Sequence, residues 1–319
     1  MSQHKSTESH SKKTDSPPKK RVRKLDSHRT LKLTRRRIKR PTPLPSIKSL
    51  VSEPFRLIWQ NKKLYFGLTA IFWLLLFILT KGLGSAFDIV QTKQEVQEAL
   101  GEEGQSLGTS YALFNYLLGS FNGQVTDVAG TYQLFITIII LLATIWITRQ
   151  IFAGEKPRLR DGFYKGMYPL VPFIFILIVV SLQLLPALIG NFIFSTVITN
   201  GLAITFLEKV LWFLLFAGGL LLSLYMVLSS VFALNIVTLS DVAPLKALRS
   251  SRELVLHRRI GIFARILVLP IVGFLLALAI FLPMIMYAPV LVEPLFLVGT
   301  CFGLIFATVF MYNFYRKLL

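Results

Sequence analysis

The chain has 319 residues, of which 54% are hydrophobic and 16% charged, and its formal net charge is +19. That balance excludes an ordinary soluble globular protein, which would expose too much apolar surface, and points to a bilayer as the main solvent. A single cysteine, Cys301, excludes an intrachain disulfide and any metal site built on several cysteines.

Residues 1–40 hold fifteen Lys/Arg against three acids (Glu8, Asp15 and Asp26), a net of +12, so most of the charge sits in the first eighth of the chain. Residues 1–42 have almost no apolar side chain before Leu25. They cannot bury enough surface to offset chain entropy and are expected to be a disordered basic tail. Nothing in this stretch resembles a signal peptide, so targeting is expected to come from the first spanning helix.

Six apolar runs follow, near residues 64–80, 130–148, 168–189, 210–234, 260–287 and 291–315. At 1.5 Å rise per residue, about 20 residues cross a hydrocarbon core roughly 30 Å thick. The predicted fold class is therefore all-α: a polytopic membrane domain over residues 43–319. The fifth run is longer than a crossing needs, and Pro270 and Pro283 are candidate kinks. Residues 82–129 form a long acidic connection in which Lys93 is outnumbered by Asp88, Glu95, Glu98, Glu102, Glu103 and Asp127. Within it, 88–100 reads as a short charged helix and 111–118 as an interfacial or re-entrant one. Residues 191–204 have similar amphipathic character.

The basic segments, namely the tail, 48–63, 149–165, 246–259 and 316–317, fall at alternate ends of the six runs and so share one side. The positive-inside rule places that side, with both termini, in the cytoplasm of a cell whose cytoplasmic membrane holds the protein.

A weak threefold repeat is superimposed on the runs. Before the first, third and fifth of them, a proline opens a short basic amphipathic segment: PSIKSLVSEPFRLIW at 45–59, PRLRDGFYKG at 157–166 and PLKALRSSRELVLHRR at 244–259. Proline suits a first helical turn because its missing N–H has no intrahelical partner there. In the first segment Ile47, Leu50, Val51, Phe55 and Ile58 share one face. In the third, Ala247, Leu248, Ser251, Leu254 and Val255 oppose Lys246, Arg249, Arg252 and His257. Such helices are expected at headgroup level, apolar side down, each leading into a hairpin of two spans. The stretches PLKALRSSREL at 244–254, GEKPRLRDGF at 154–163 and MYNFYRK at 311–317 resemble a bacterial superfamily of six-helix membrane proteins. That superfamily includes the membrane domain of glycerophosphoryl diester phosphodiesterases. The resemblance implies a six-helix membrane module. It does not import the diesterase activity, which in fused members resides in a separate soluble barrel.

Catalytic chemistry is not legible. The centres of the runs lack Asp, Glu and Lys, whereas a charge at that depth would flag function. There is no G-x-S-x-G, no P-loop and no pair of carboxylates placed for hydrolysis. Three of the four histidines (His4, His10 and His28) lie in the tail, away from His257, so neither a metal nor a cofactor is expected. The runner-up classes are a transporter or channel lined by Gln133, Gln183 or Asn235, and then a lipid enzyme built around Arg158, Asp161, Arg252 and Glu253.

The leading expectation is a non-enzymatic, membrane-organising or lipid-interacting protein. Its partners would be anionic lipid headgroups, held by Arg35, Arg36, Arg37, Lys39 and Arg40 in the tail and by Arg158, Arg160, Lys246, Arg249, Arg252, Arg258 and Arg259 at the helix ends. Arg265, one turn inside the fifth run, would snorkel or hold a lipid phosphate. Nucleic acid, or a protein partner, is the second choice for the tail, because counterion release drives either association. Oligomeric state is not legible.

Overall fold

A computed structural model describes residues 45–81, 127–239, 242–256 and 258–319. The tail cations Arg35, Arg36, Arg37, Lys39 and Arg40, His257, and the helices expected at 88–100 and 111–118 lie outside the described residues. Among the described residues the fold is all-α: α1 (Ile47–Gln60), α2 (Lys62–Leu76, closing in a π-turn at Phe77–Lys81), α3 (Asp127–Phe152), α4 (Leu159–Gly166), α5 (Leu170–Thr199), α6 (Phe206–Ser230), α7 (Ala233–Ile236), α8 (Pro244–Val255), α9 (Arg259–Tyr287) and α10 (Pro289–Leu318). Six stretches among the described residues are long and apolar enough to cross a membrane: Lys62–Leu79, Val128–Phe152, Leu170–Thr199, Phe206–Ile236, Arg259–Tyr287 and Val290–Leu318.

The third spanning helix is longer than its hydropathy suggests. It runs on to Thr199, so residues 191–199 continue the span rather than forming a separate amphipathic piece. Its end is set by Gly201, whose positive φ of 63° lets Leu202 N–H reach Val197 O and Gly201 N–H reach Ile198 O. Gly154, with φ 83°, ends α3 in the same way, through Glu155 N–H to Gln150 O. A left-handed residue after the last turn satisfies carbonyls that would otherwise be orphaned. At the start of α6, Thr205 and Glu208 form a capping box, and the Glu208 carboxylate also accepts the Ile204 N–H at 2.8 Å.

The repeat read in the sequence becomes a ring. Spanning helices touch in the order α2, α3, α5, α6, α9, α10, and α10 closes back on α2 while also crossing α3. Each short basic helix docks on the second span of the unit before it: α4 on α3, α8 on α6, and α1 on α10. Headgroup level alone therefore does not account for their apolar faces, which the neighbouring unit covers.

Burial is uneven around the ring. In the apolar window of α3, 44% of residues are buried, against 6% in those of α6 and α9. The first core joins α2, α3 and α10 through Tyr65, Leu68, Ile140, Ile147 and Ile305, with Cys301 packed among them. Tyr65 Oη meets Thr148 Oγ1 at 3.1 Å inside this core. The second joins α3, α5, α7, α8 and α10 around Phe173, Phe232, Phe310 and Phe314. In contrast, α6 and α9 expose leucine and isoleucine on most sides, which suits helices bathed in lipid.

The α5–α6 hairpin compensates for an internal proline. Pro186 has no N–H to give to the helix ladder, and beside it Ala187 N–H donates to Ser223 Oγ on α6 at 2.9 Å. Gly219, one turn before Ser223, lets the α6 backbone approach the Pro186 carbonyl: a Cβ added there would lie 2.6 Å from that oxygen. Small residues permit such approaches, and an unpaired polar group in hydrocarbon is costly. Ser223→Ala, which removes this interhelical hydrogen bond, is expected to destabilise the hairpin by about 1 kcal/mol. Thermal unfolding in detergent reads the loss, with Cys301, buried in the native fold, as a thiol-labelling reporter.

Candidate functional site at the basic end of the bundle

The six-span topology gathers α1, α4, α8 and the carboxy-terminal turn of α10 at one end. α1 is held there by Glu53, which pairs with Lys317 at 2.8 Å and accepts from Asn313 Nδ2 at 3.3 Å, and by Lys317 Nζ donating to Ser49 Oγ at 3.2 Å. Docking divides the apolar arc expected on this helix. Leu50, Pro54, Leu57 and Ile58 are buried, whereas Ile47 and Phe55, expected on the same face, are exposed. Phe55 stacks on Trp59 with ring centroids 6.1 Å apart, and Lys62 lies 5.9 Å from the Trp59 ring. The outward stripe is thus aromatic and cationic, which suits a membrane–water interface.

α4 docks through glycines. Gly162 and Gly166 are buried, and an added Cβ would lie 2.5 Å from Ile147 Cδ1 at the first and 3.2 Å from Ala143 Cα and Leu142 O at the second. This G-x-x-x-G spacing was present in the sequence and is the signal that locates the helix. On α8 the expected arc is the buried one. Ala247, Ser251 and Val255 are buried and Leu248 and Leu254 half-buried, with Ser251 Oγ donating to Ser229 O at 2.8 Å. That bond satisfies a carbonyl freed where α6 breaks before α7.

The sequence-derived cations divide into two groups. Arg158, Arg160, Lys246, Arg249 and Arg252 are exposed. Arg258, Arg259 and Arg265 are half-buried, and the last two turn to the protein: the Arg259 guanidinium lies 3.8 Å from the Tyr225 ring centroid, and Arg265 donates to Pro45 O at 2.8 Å and Gly261 O at 2.9 Å. Arg265 therefore ties the entry of α1 to α9. Gln133, Gln183 and Asn235 are not brought together. Gln133 is half-buried near the far end of α3, Gln183 donates to Ser230 Oγ at 2.8 Å between α5 and α6, and Asn235 is buried in α7, where its carbonyl accepts from Thr238 Oγ1. Asp161 is half-buried and Arg252 and Glu253 exposed, on helices that dock on different units. Among the described residues, no group of three or more His, Cys, Asp or Glu could hold a metal ion.

Two cations that the sequence did not single out stand at a cleft at this end. A cavity of about 670 Å³ opens between the last turn of α3, α4, the start of α5, and the segment joining α7 to α8. Arg149 and Lys165 line it, together with Tyr164, Tyr168, Pro169 and Pro172. Arg149 Nη1 donates to Thr238 O at 2.6 Å, which fixes the guanidinium at the rim, and Lys165 Nζ lies 5.9 Å from the Trp146 ring. Tyr164 and Tyr168 are 86% and 89% exposed at its mouth. Ser240 and Asp241, between lining residues Leu239 and Val242, fall outside the described residues. No family model, curated protein or solved structure matches this chain.

Proposed function

We propose that this chain is a non-enzymatic multi-pass protein of the cytoplasmic membrane that binds and organises anionic lipids, with both termini in the cytoplasm. The observation that carries the reading is the docked rim: three basic helices are each locked to the neighbouring unit, and two of them, α4 and α8, present Arg158, Arg160, Lys246, Arg249 and Arg252 outward at one end of the bundle. Docking removes much of the entropy cost of ordering a charged surface, so the cations meet headgroups as a fixed array. Each cation near an anionic leaflet contributes about 1 kcal/mol. The exposed aromatic side chains Phe55, Trp59, Tyr164 and Tyr168, on or beside α1 and α4, are of the kind that anchors a membrane–water interface. The basic tail adds to the same attraction.

Flotation with purified protein tests the reading. Recovery on phosphatidylglycerol liposomes at low salt is expected to exceed that on phosphatidylcholine about tenfold, to fall with added salt, and to drop severalfold in a Lys246→Gln, Arg249→Gln, Arg252→Gln variant. Equal recovery on both liposomes removes the reading. A reporter fused after Leu319 that is active only outside the cell removes the orientation.

A further inference from the structure

We infer that the middle of α9 seats one anionic phospholipid, its phosphate paired with Arg265 and one acyl chain lying along the helix beyond it. The inference rests on the lipid-binding reading and goes further, since a diffuse rim attracts many headgroups whereas this seat holds one molecule. The buried residues of α9 lie toward its ends. Ile262 packs in the second core with Ile266 and Leu269 beside it, and Phe281 meets Phe296 of α10 edge-on at 5.2 Å. Between these contacts all seven residues from Pro270 to Leu276 are exposed. Seven residues make almost two turns, so no face of α9 is buried there. Gly273 marks the gap most directly. It falls eleven residues after Ile262, on the same bundle-facing line, yet an added Cβ would meet nothing within 4 Å.

Arg265 supplies the charge that selects the occupant. It lies six residues past Arg259, the first residue of α9, or about 9 Å along the axis, where an uncompensated cation is costly. Among the described residues its guanidinium donates to neutral acceptors, from Nε to Pro45 O at 2.8 Å and from Nη1 to Gly261 O at 2.9 Å. Those bonds fix the fork but leave its charge unbalanced and its other N–H donors unused. No carboxylate among the described residues pairs with it, and the eighteen residues before Pro45 hold no acid. A phosphate oxygen meets both needs through charge-assisted hydrogen bonds. Helical periodicity then places the chain. Val272 and Leu276, seven and eleven residues after Arg265, share its face, and both are exposed. From Arg265 to Leu276 is about 16 Å at 1.5 Å per residue, close to half of a hydrocarbon core roughly 30 Å thick. The acyl chain of one leaflet thus covers the exposed track while the phosphate stays beside Arg265. A soluble phosphate ester would leave that apolar track uncovered.

Native mass spectrometry of the purified full-length protein tests the seat, using phosphatidylglycerol, phosphatidylcholine and glycerol 3-phosphate as probes. One phosphatidylglycerol per chain is expected to survive activation that strips other lipids, and excess glycerol 3-phosphate is expected not to displace it. Arg265→Gln keeps a donor for Pro45 O but removes the charge, and is expected to lower that retention about tenfold. Val272→Trp leaves both Arg265 bonds in place and fills the track from an exposed position. It is expected to lower retention severalfold at an unchanged melting temperature, and it decides alone if Arg265→Gln fails to fold. If either folded variant keeps its lipid as the wild type does, the seat is overturned and Arg265 serves only to tie α1 to α9. If glycerol 3-phosphate displaces the lipid or binds equally well, the occupant is a soluble phosphate ester and the lipid assignment is overturned. Equal retention of phosphatidylcholine overturns the selection by charge. The rim reading fails separately, by equal flotation of the wild type on both liposomes.

Discussion

Replacing Gly219 with alanine is expected to break the α5–α6 hairpin, although alanine is the better helix former by about 1 kcal/mol. The new Cβ would sit 2.6 Å from the Pro186 carbonyl oxygen and 3.3 Å from its carbon. Both atoms belong to backbone that a proline has already stiffened, so the obstacle cannot rotate away. Relief requires the helices to separate, which also stretches the 2.9 Å bond from Ala187 N–H to Ser223 Oγ. Overpacking costs about 1–3 kcal/mol where neighbours can adjust. Here it adds to the loss of that interhelical hydrogen bond, for a total of about 3 kcal/mol or more. Gly218, the adjacent residue, has nothing within 4 Å of an added Cβ, so Gly218→Ala is expected to match or exceed the wild type. Thermal unfolding of the pair in one detergent decides the matter. Equal melting of both variants would show that the hairpin does not depend on this contact.

Gly166→Leu is expected to undock α4 and dismantle the cavity. An added Cβ there meets Ala143 Cα and Leu142 O, both at 3.2 Å. A single methyl requires a shift of a few tenths of an ångström, but a leucine has no space against helix backbone. α4 has only eight residues, too few to hold its own helix in water, so its order depends on α3. Undocking releases Lys165 from Trp146 and removes Tyr164 from the mouth. Limited trypsin digestion is expected to cut at Arg158, Arg160 or Lys165 at least tenfold faster, roughly the effect of losing 1.4 kcal/mol of local stability. The six spans remain inserted. Unchanged cleavage would mean that α4 is held by something other than its glycine face.

The two predictions differ in how far their sites could be read from the chain. Gly218 and Gly219 mark a close approach or bend in any spanning helix, but sequence cannot say which of the two touches a neighbour. The answer depends on the rotation of α6 against Pro186. Gly162 and Gly166 carried a readable spacing, yet its meaning needed the partner face on α3. The arc on α8 was legible because its whole width is covered, by α5, α6 and α7 together. The arc on α1 was not, because α10 reaches it from the side of Pro54 and Leu57 and leaves Phe55 to the interface. Arg149 looked like any cation at a helix end until Thr238, 89 residues later in the chain, supplied its acceptor.

Local chemistry determined the number of spans, the segregation of positive charge to one end and the threefold recurrence of proline-led basic helices. Each of these follows from the affinity of nearby side chains for water or hydrocarbon, a property that needs no knowledge of distant contacts. Tertiary structure alone decided that each short helix docks on the preceding unit, that α10 closes the ring, and that a cationic cavity lies where α4 meets α5 and α8. Those outcomes depend on shape complementarity between segments tens to hundreds of residues apart, such as Glu53 with Lys317, and hydropathy carries no record of which surfaces fit.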